Sequence, residues 1–220
     1  ADLLAFYGIE DSREAVAALS PEKLLTFSAF ASAKARDPEW GRMLQGNVSV
    51  FKPYYDGDIL MKRPVDAIAD GSAKDLDIMV GSAEQEWRLY TVPSGAIDNI
   101  GEDALRNFVY TTGFPADIVE RYRKAGRGAS TGDLFTALQS DLIFRMPANK
   151  VLESQVSAGG RAWAYSFAWK SPCYDGRLGA AHSVDLPFVF KTLHKDSSRV
   201  KNSVGINPPD SLAEAMHSAW

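Results

Sequence analysis

The sequence predicts an α/β protein: core strands of a mostly parallel sheet with a helical insertion between them. Three observations carry this. LDIMVGS (residues 76–82) is a compact apolar run ending at Gly81-Ser82, as expected of a strand buried within a parallel sheet. RAWAYSFAW (161–169) alternates and is rich in aromatics, which marks a second core strand. Residues 102–158 between them are mostly helical in pattern, and strand, helical excursion, strand, helix is an α/β order.

The elements follow in order. Residues 11–18 and 20–33 have the pattern of two short packing helices, the second with Ser20 as cap, Pro21 at the first helical position and Leu24, Leu25, Phe27 and Phe30 following. Pro53, Asp56-Gly57 and Gly71 are turn signals around a short strand-like piece and a helix over 65–69. Helices are expected over 102–111, 115–124 and 133–145, with an interruption at Pro147 and a resumption to Ser157. The second strand ends at Lys170-Ser171-Pro172 and leads into a Gly-punctuated loop. NPPDSLAEAMHSAW places Ser211 and Glu214 in capping-box register and starts a final helix. No repeat, low-complexity tract or long linker divides the chain, so residues 1–220 read as one unit.

Composition narrows the function classes. A 220-residue chain that is 45% hydrophobic and 24% charged buries a substantial core. Its net charge of -4 gives no electrostatic footprint for nucleic acid or an anionic membrane, so a neutral or apolar partner fits better. The single cysteine, Cys173, excludes an internal disulfide framework and a Cys-rich zinc site. No apolar run of membrane-spanning length occurs, and ADLLAFYGIEDSREA lacks the basic head and apolar stretch of a signal peptide. A cytoplasmic location is the expectation.

Ligands of open α/β sheets sit beyond the carboxyl ends of the strands, so the loops after the two strands are where chemistry is sought. Of the three histidines, His217 in the last helix and His194 in KTLHKDSSR read as structural or solvated. His182 lies between the small-residue turn Leu178-Gly179-Ala180-Ala181 and the apolar anchor LPFVF (186–190). These residues leave open both a buried, satisfied histidine and a general base. A matching acid is Glu84 or Glu86 in GSAEQEWRLY, since a carboxylate beside an imidazole fixes its tautomer and stabilises the imidazolium. Spacing does not choose between them. Trp87, next to Glu86, is a candidate substrate-pocket residue and equally a core residue.

Gly128-Ala129-Ser130-Thr131-Gly132 matches the G-x-S-x-G pattern of a nucleophile elbow. An elbow needs an apolar strand before its serine, and here VERYRKAGR precedes it; Ser130 and Thr131 read instead as a helix cap. His182 and Asp185 cannot fill a metal coordination shell. Asn47-Val48-Ser49 satisfies the N-glycosylation sequon.

From about Phe51 onward these pieces resemble the type B carboxylesterases, a family of α/β-hydrolases. The matching stretches are Pro53 to Leu60, Val80-Gly81-Ser82 to Tyr90, the aspartate-x-x-phenylalanine-proline helix of Asp141 to Pro147, and the strand from Ala164 to Pro172. The most specific is Leu178-Gly179-Ala180-Ala181-His182-Ser183-Val184-Asp185-Leu186-Pro187-Phe188-Val189-Phe190. The resemblance implies that His182 is the base of a Ser-His-Glu triad and Glu86 its acid, with Gln85-Glu86-Trp87 standing where the family has aspartate-glutamate-glycine. Asp185 stands where a glutamate is common. The family's oxyanion loop and serine elbow belong upstream of everything here, and its continuation beyond the last helix is absent.

The chain is therefore expected to be the later, C-terminal portion of a single α/β-hydrolase domain. Its expected partner is the N-terminal part of the same enzyme, supplying serine and oxyanion hole, and it is expected to be inactive without that part. The expected activity is hydrolysis of a small-molecule carboxylic ester, with no cofactor, metal, nucleic acid or membrane implied. The alternatives are an inactive binding or adhesion relative and an amidase or carbamate hydrolase on the same scaffold.

Overall fold

Two strands, β1 (Asp77–Ala83) and β2 (Arg161–Phe167), pair in parallel with Asp77 opposite Arg161 and Ala83 opposite Phe167. The computed structural model describes residues 2–34, 53 and 55–220. These fall in two units, residues 1–54 with 106–118, and residues 55–105 with 119–220. The sequon at 47–49 lies outside the described residues.

The first unit holds α1 (Asp2–Phe6), α2 (Arg13–Ala17) and α3 (Pro21–Lys34), and serines cap the last two. The Ser12 hydroxyl accepts the N–H of Ala15, and that of Ser20 accepts the N–H of Lys23. Tyr7 stacks on Phe27 with ring centroids 4.8 Å apart, and Phe6 lies 4.1 Å from Phe30. At five residues, α1 is too short to show a helical period in the sequence.

The second unit carries both strands. The strand-like piece expected before residue 64 is instead a turn: Asp56 Oδ1 accepts the N–H groups of Asp58 and Leu60, an arrangement that competes with any ladder. There follow α4 (Pro64–Ala69), β1, α5 (Arg88–Thr91) and α6 (Ala96–Asn99). α7 (Glu102–Thr112) runs from this unit into the first, and α8 (Ile118–Lys124) and α9 (Thr131–Ser140) come next. No break occurs at Pro147. α9 passes through a π-helical turn, Asp141–Arg145, directly into α10 (Met146–Ser157): Met146 N–H bonds back to Asp141 O, five residues earlier, and this widened turn just before Pro147 accommodates a residue that has no N–H to donate and a ring that would crowd a regular α-turn. α10 packs on both strands.

After β2 come α11 (Leu186–Val189), α12 (Ser198–Val204) and α13 (Asp210–Ala219). α13 starts at Asp210 after Pro209, so the box expected between Ser211 and Glu214 is not made; Glu214 instead holds Lys191. The core gathers under the loop after β2: Ala83, Phe167, Leu178, Ala180, Ala181, Val184 and Phe188 are buried together, and Trp169 packs edge-on against Phe188 at 4.9 Å.

The strands were expected to be buried along their length, yet burial is confined to their carboxyl ends. Ser82, Ala83 and Phe167 are buried, whereas Met79 and Trp163, directly opposite each other, are about half exposed. Among the described residues the sheet has only these two strands. Among the same residues no helix is long and apolar enough to cross a membrane.

Candidate active site

The loops after β1 and β2 are laced together by their backbones. Glu84 N–H donates to Phe167 O, Gln85 N–H to Ala180 O at 2.9 Å, and His182 N–H to Glu86 O at 3.1 Å. The Gln85 carboxamide returns the contact, its Oε1 accepting the N–H of Ala180. Gly179 is required here for two reasons: its φ is +62°, and a Cβ would overlap the Gln85 carboxamide. The departure at Gln85 from the family pattern thus has a structural use.

This lacing sets Glu86 against His182. Glu86 is buried at 6% exposure; its Oε1 accepts the N–H of Ala83 at the end of β1, and its Oε2 lies 2.7 Å from His182 Nδ1. A carboxylate in that position makes Nδ1 the protonated nitrogen and leaves Nε2 as the acceptor. Among the described residues Nε2 has no hydrogen-bond partner. The hydrogen bond to Glu86 pushes the imidazole pKa above its ordinary value, with partial burial opposing it. Nearby Asp185 is held above the usual carboxylate range, mainly by burial.

Glu84 does not approach His182. Its carbonyl accepts from Arg145 Nη2, and it lines a separate polar cleft of about 140 Å³ with Arg88 and Arg127. The pairing is therefore made by Glu86. Trp87 packs on Tyr90 with centroids 4.5 Å apart and donates its backbone N–H to Ser140 Oγ.

Two rings flank His182 that the sequence reading did not single out. Tyr90 lies roughly parallel to the imidazole at 5.9 Å and Phe144 at 4.9 Å. Phe144 stands in the π-helical turn. That turn is fixed by Asp141, which accepts from Tyr122 Oη at 2.6 Å, Arg145 Nη1 at 2.7 Å and Arg127 Nη2 at 3.1 Å. The aspartate-x-x-phenylalanine pattern was the available signal. Its aspartate anchors the turn and its phenylalanine reaches the histidine.

His182 also lines an apolar cleft of about 470 Å³, walled by Leu89, Pro93, Leu178, Leu186, Phe190 and Val200. That volume is within the range of small-molecule sites. Trp87 is not among its lining residues. Ser183, next to His182, adopts φ +65°, a left-handed conformation uncommon for a residue with a side chain.

The other histidines are placed elsewhere. His194 Nε2 meets Asp210 at 2.6 Å on the surface, and His217 Nδ1 lies 2.8 Å from Val189 O. Ser130 is the cap of α9: it accepts the N–H of Asp133 while Asp133 accepts the N–H of Ser130, a reciprocal box. Gly132 is needed because a Cβ would strike the Ile97 carbonyl, and Gly128 because one would strike Asp133 and Leu134. Packing and capping account for the whole G-x-S-x-G pattern. Among the described residues no group of three or more His, Cys, Asp or Glu side chains is arranged to hold a metal ion.

Comparison with known proteins bears on the family and the fold. The chain is 24% identical over 202 residues to the phenmedipham hydrolase of Pseudarthrobacter oxydans, covering 84% of this chain and 40% of that protein. It is 25% identical over 173 residues to the para-nitrobenzyl esterase of Bacillus subtilis, covering 77% and 33%. It superposes on the crystal structure of a Geobacillus stearothermophilus carboxylesterase with a TM-score of 0.71 at 24% identity, over 99% of this chain and 42% of that one. The fold is accordingly part of an α/β-hydrolase, and the chain spans well under half the length of these relatives. The family model described as the carboxylesterase family matches residues 29–205, and the chain belongs to that family.

Proposed function

We propose that this chain supplies the base and its orienting acid to a serine-dependent carboxylic ester hydrolase, with His182 as base and Glu86 as acid. The supporting observation is the 2.7 Å contact of His182 Nδ1 with a buried, backbone-anchored Glu86 at the edge of an apolar cleft. The serine and the oxyanion donors come from the N-terminal part of the same enzyme, and the chain is inactive without it. His182 Nε2 takes the serine proton as the serine oxygen attacks the ester carbonyl, and Glu86 stabilises the resulting imidazolium through Nδ1–H. His182 then protonates the departing alcohol. In the second half, His182 takes a proton from a water that attacks the acyl-enzyme carbonyl and returns it to the serine oxygen as the acyl–oxygen bond breaks, releasing the acid.

The retained acid and histidine favour this reading over that of an inactive binding relative. In the complete enzyme, His182→Ala is expected to lower kcat by roughly 10⁴, by analogy with other triads. Glu86→Gln is expected to cost far more activity than Glu84→Gln. A loss of only a few-fold for His182→Ala, or the reverse order of the two glutamates, overturns the assignment.

A further inference from the structure

The apolar cleft beside His182 has one charged side chain besides the histidine. Its lining includes Arg199, and no carboxylate. Among the described residues Arg199 makes no ion pair or hydrogen bond, unlike Arg88, Arg145 and Arg177, each of which is held by a carboxylate. It stands on α12 with Asn202 and Ser203, which also line the cleft. Positions i, i+3 and i+4 share one face of a helix, so the guanidinium and the Asn202 amide sit side by side at this wall. The Ser203 hydroxyl is already committed to Val200 O at 2.8 Å.

An apolar trough with one uncompensated guanidinium and an adjacent amide suits an amphiphile with an anionic end. Arginine's planar fork matches a carboxylate bidentately, and no acid in the wall competes with the ligand. We propose that the cleft binds esters whose chain ends in a carboxylate, with the apolar chain against Leu186, Phe190 and Val200 and the carboxylate on Arg199 and Asn202. The substrate-class part of this inference rests on the esterase reading. The binding part does not, because it needs only the cleft.

The test is equilibrium binding of octanoate and of its neutral analogue octanamide to the full chain, followed by the chemical shifts of the His182 ring and the Arg199 side chain. Octanoate is expected to bind about 2- to 5-fold more tightly than octanamide, the upper part of the range of an exposed ion pair. That preference is expected to shrink with added salt. Arg199→Gln, on an exposed position that leaves the fold intact, should make the two ligands bind equally. Leu186→Trp, which narrows the cleft, should weaken both. Absence of binding, equal affinity in the unaltered chain, a preference that survives Arg199→Gln, or indifference to Leu186→Trp each overturns the proposal. If octanoate binds as described while His182→Ala leaves the complete enzyme active, the esterase reading fails and the anion site stands.

Discussion

His182 and Glu86 show how much one contact decides. The carboxylate is buried and held by the Ala83 N–H, so it cannot swing away when the imidazole changes charge. Its hydrogen bond is the largest influence on the ring and raises its pKa; burial acts in the opposite direction. A proton titration of His182 followed by NMR is expected to give a pKa above the ordinary 6.5 or so, and Glu86→Gln, which removes the raising influences of Glu86 and leaves burial, is expected to bring it down. A midpoint unchanged by Glu86→Gln would separate the two side chains. The sign for stability follows. Because the folded chain holds this proton more tightly, the contribution is full below the unfolded pKa and is lost as pH rises through the folded one. For hydrolysis the same shift runs the other way, since only the neutral ring accepts a serine proton, and the acidic limb of the rate profile should lie at correspondingly higher pH.

At the level of elements, the strands and most helices were legible because their signals are local: an apolar run with a stop, an alternating aromatic run, a serine before a period of apolar residues. The histidine loop was legible from its sequence alone as an anchored turn, and the resemblance chose Glu86 over Glu84. The rings of Tyr90 and Phe144 were not, because their contact with His182 joins residues far apart in the chain and depends on a π-helical turn that no composition announces. Pro147 misled for a related reason: a proline is read as a break unless the π-helical turn just before it, which accommodates the ring, is visible. Two substitutions test these elements. Ser130→Ala removes the cap of α9 and is expected to lower stability by about 0.5–2 kcal/mol in urea unfolding, with the activity of the complete folded enzyme unchanged. A loss of activity beyond the loss of folded protein would make Ser130 more than a cap. Gly179→Ala imposes a left-handed conformation on a residue with a side chain and crowds Gln85, so it should cost at least about 1–2 kcal/mol. Adding Gln85→Ala should recover the crowding and leave the backbone cost, and a full recovery would show that the glycine serves space alone.

For the whole molecule, the telling feature is where burial stops. The carboxyl ends of both strands are packed under the two loops, while the other end of the sheet exposes Met79 and Trp163 side by side, with Leu76 just before β1 also exposed. Globular sheets usually have more than two strands, and exposed apolar patches mark surfaces that associate. The structures this chain matches over 99% of its length are more than twice as long, so a face that is bare here has chain available to meet it in such relatives. The purified chain is therefore expected to bind a hydrophobic dye and to self-associate as its concentration rises. Met79→Lys with Trp163→Glu replaces a half-exposed apolar cross-strand pair by a pair of opposite charges. The double variant should lose most of the dye signal and sediment as a monomer while its unfolding midpoint changes little. A parent chain that is already monomeric and silent to the dye would show that Met79 and Trp163 do not form an associating surface.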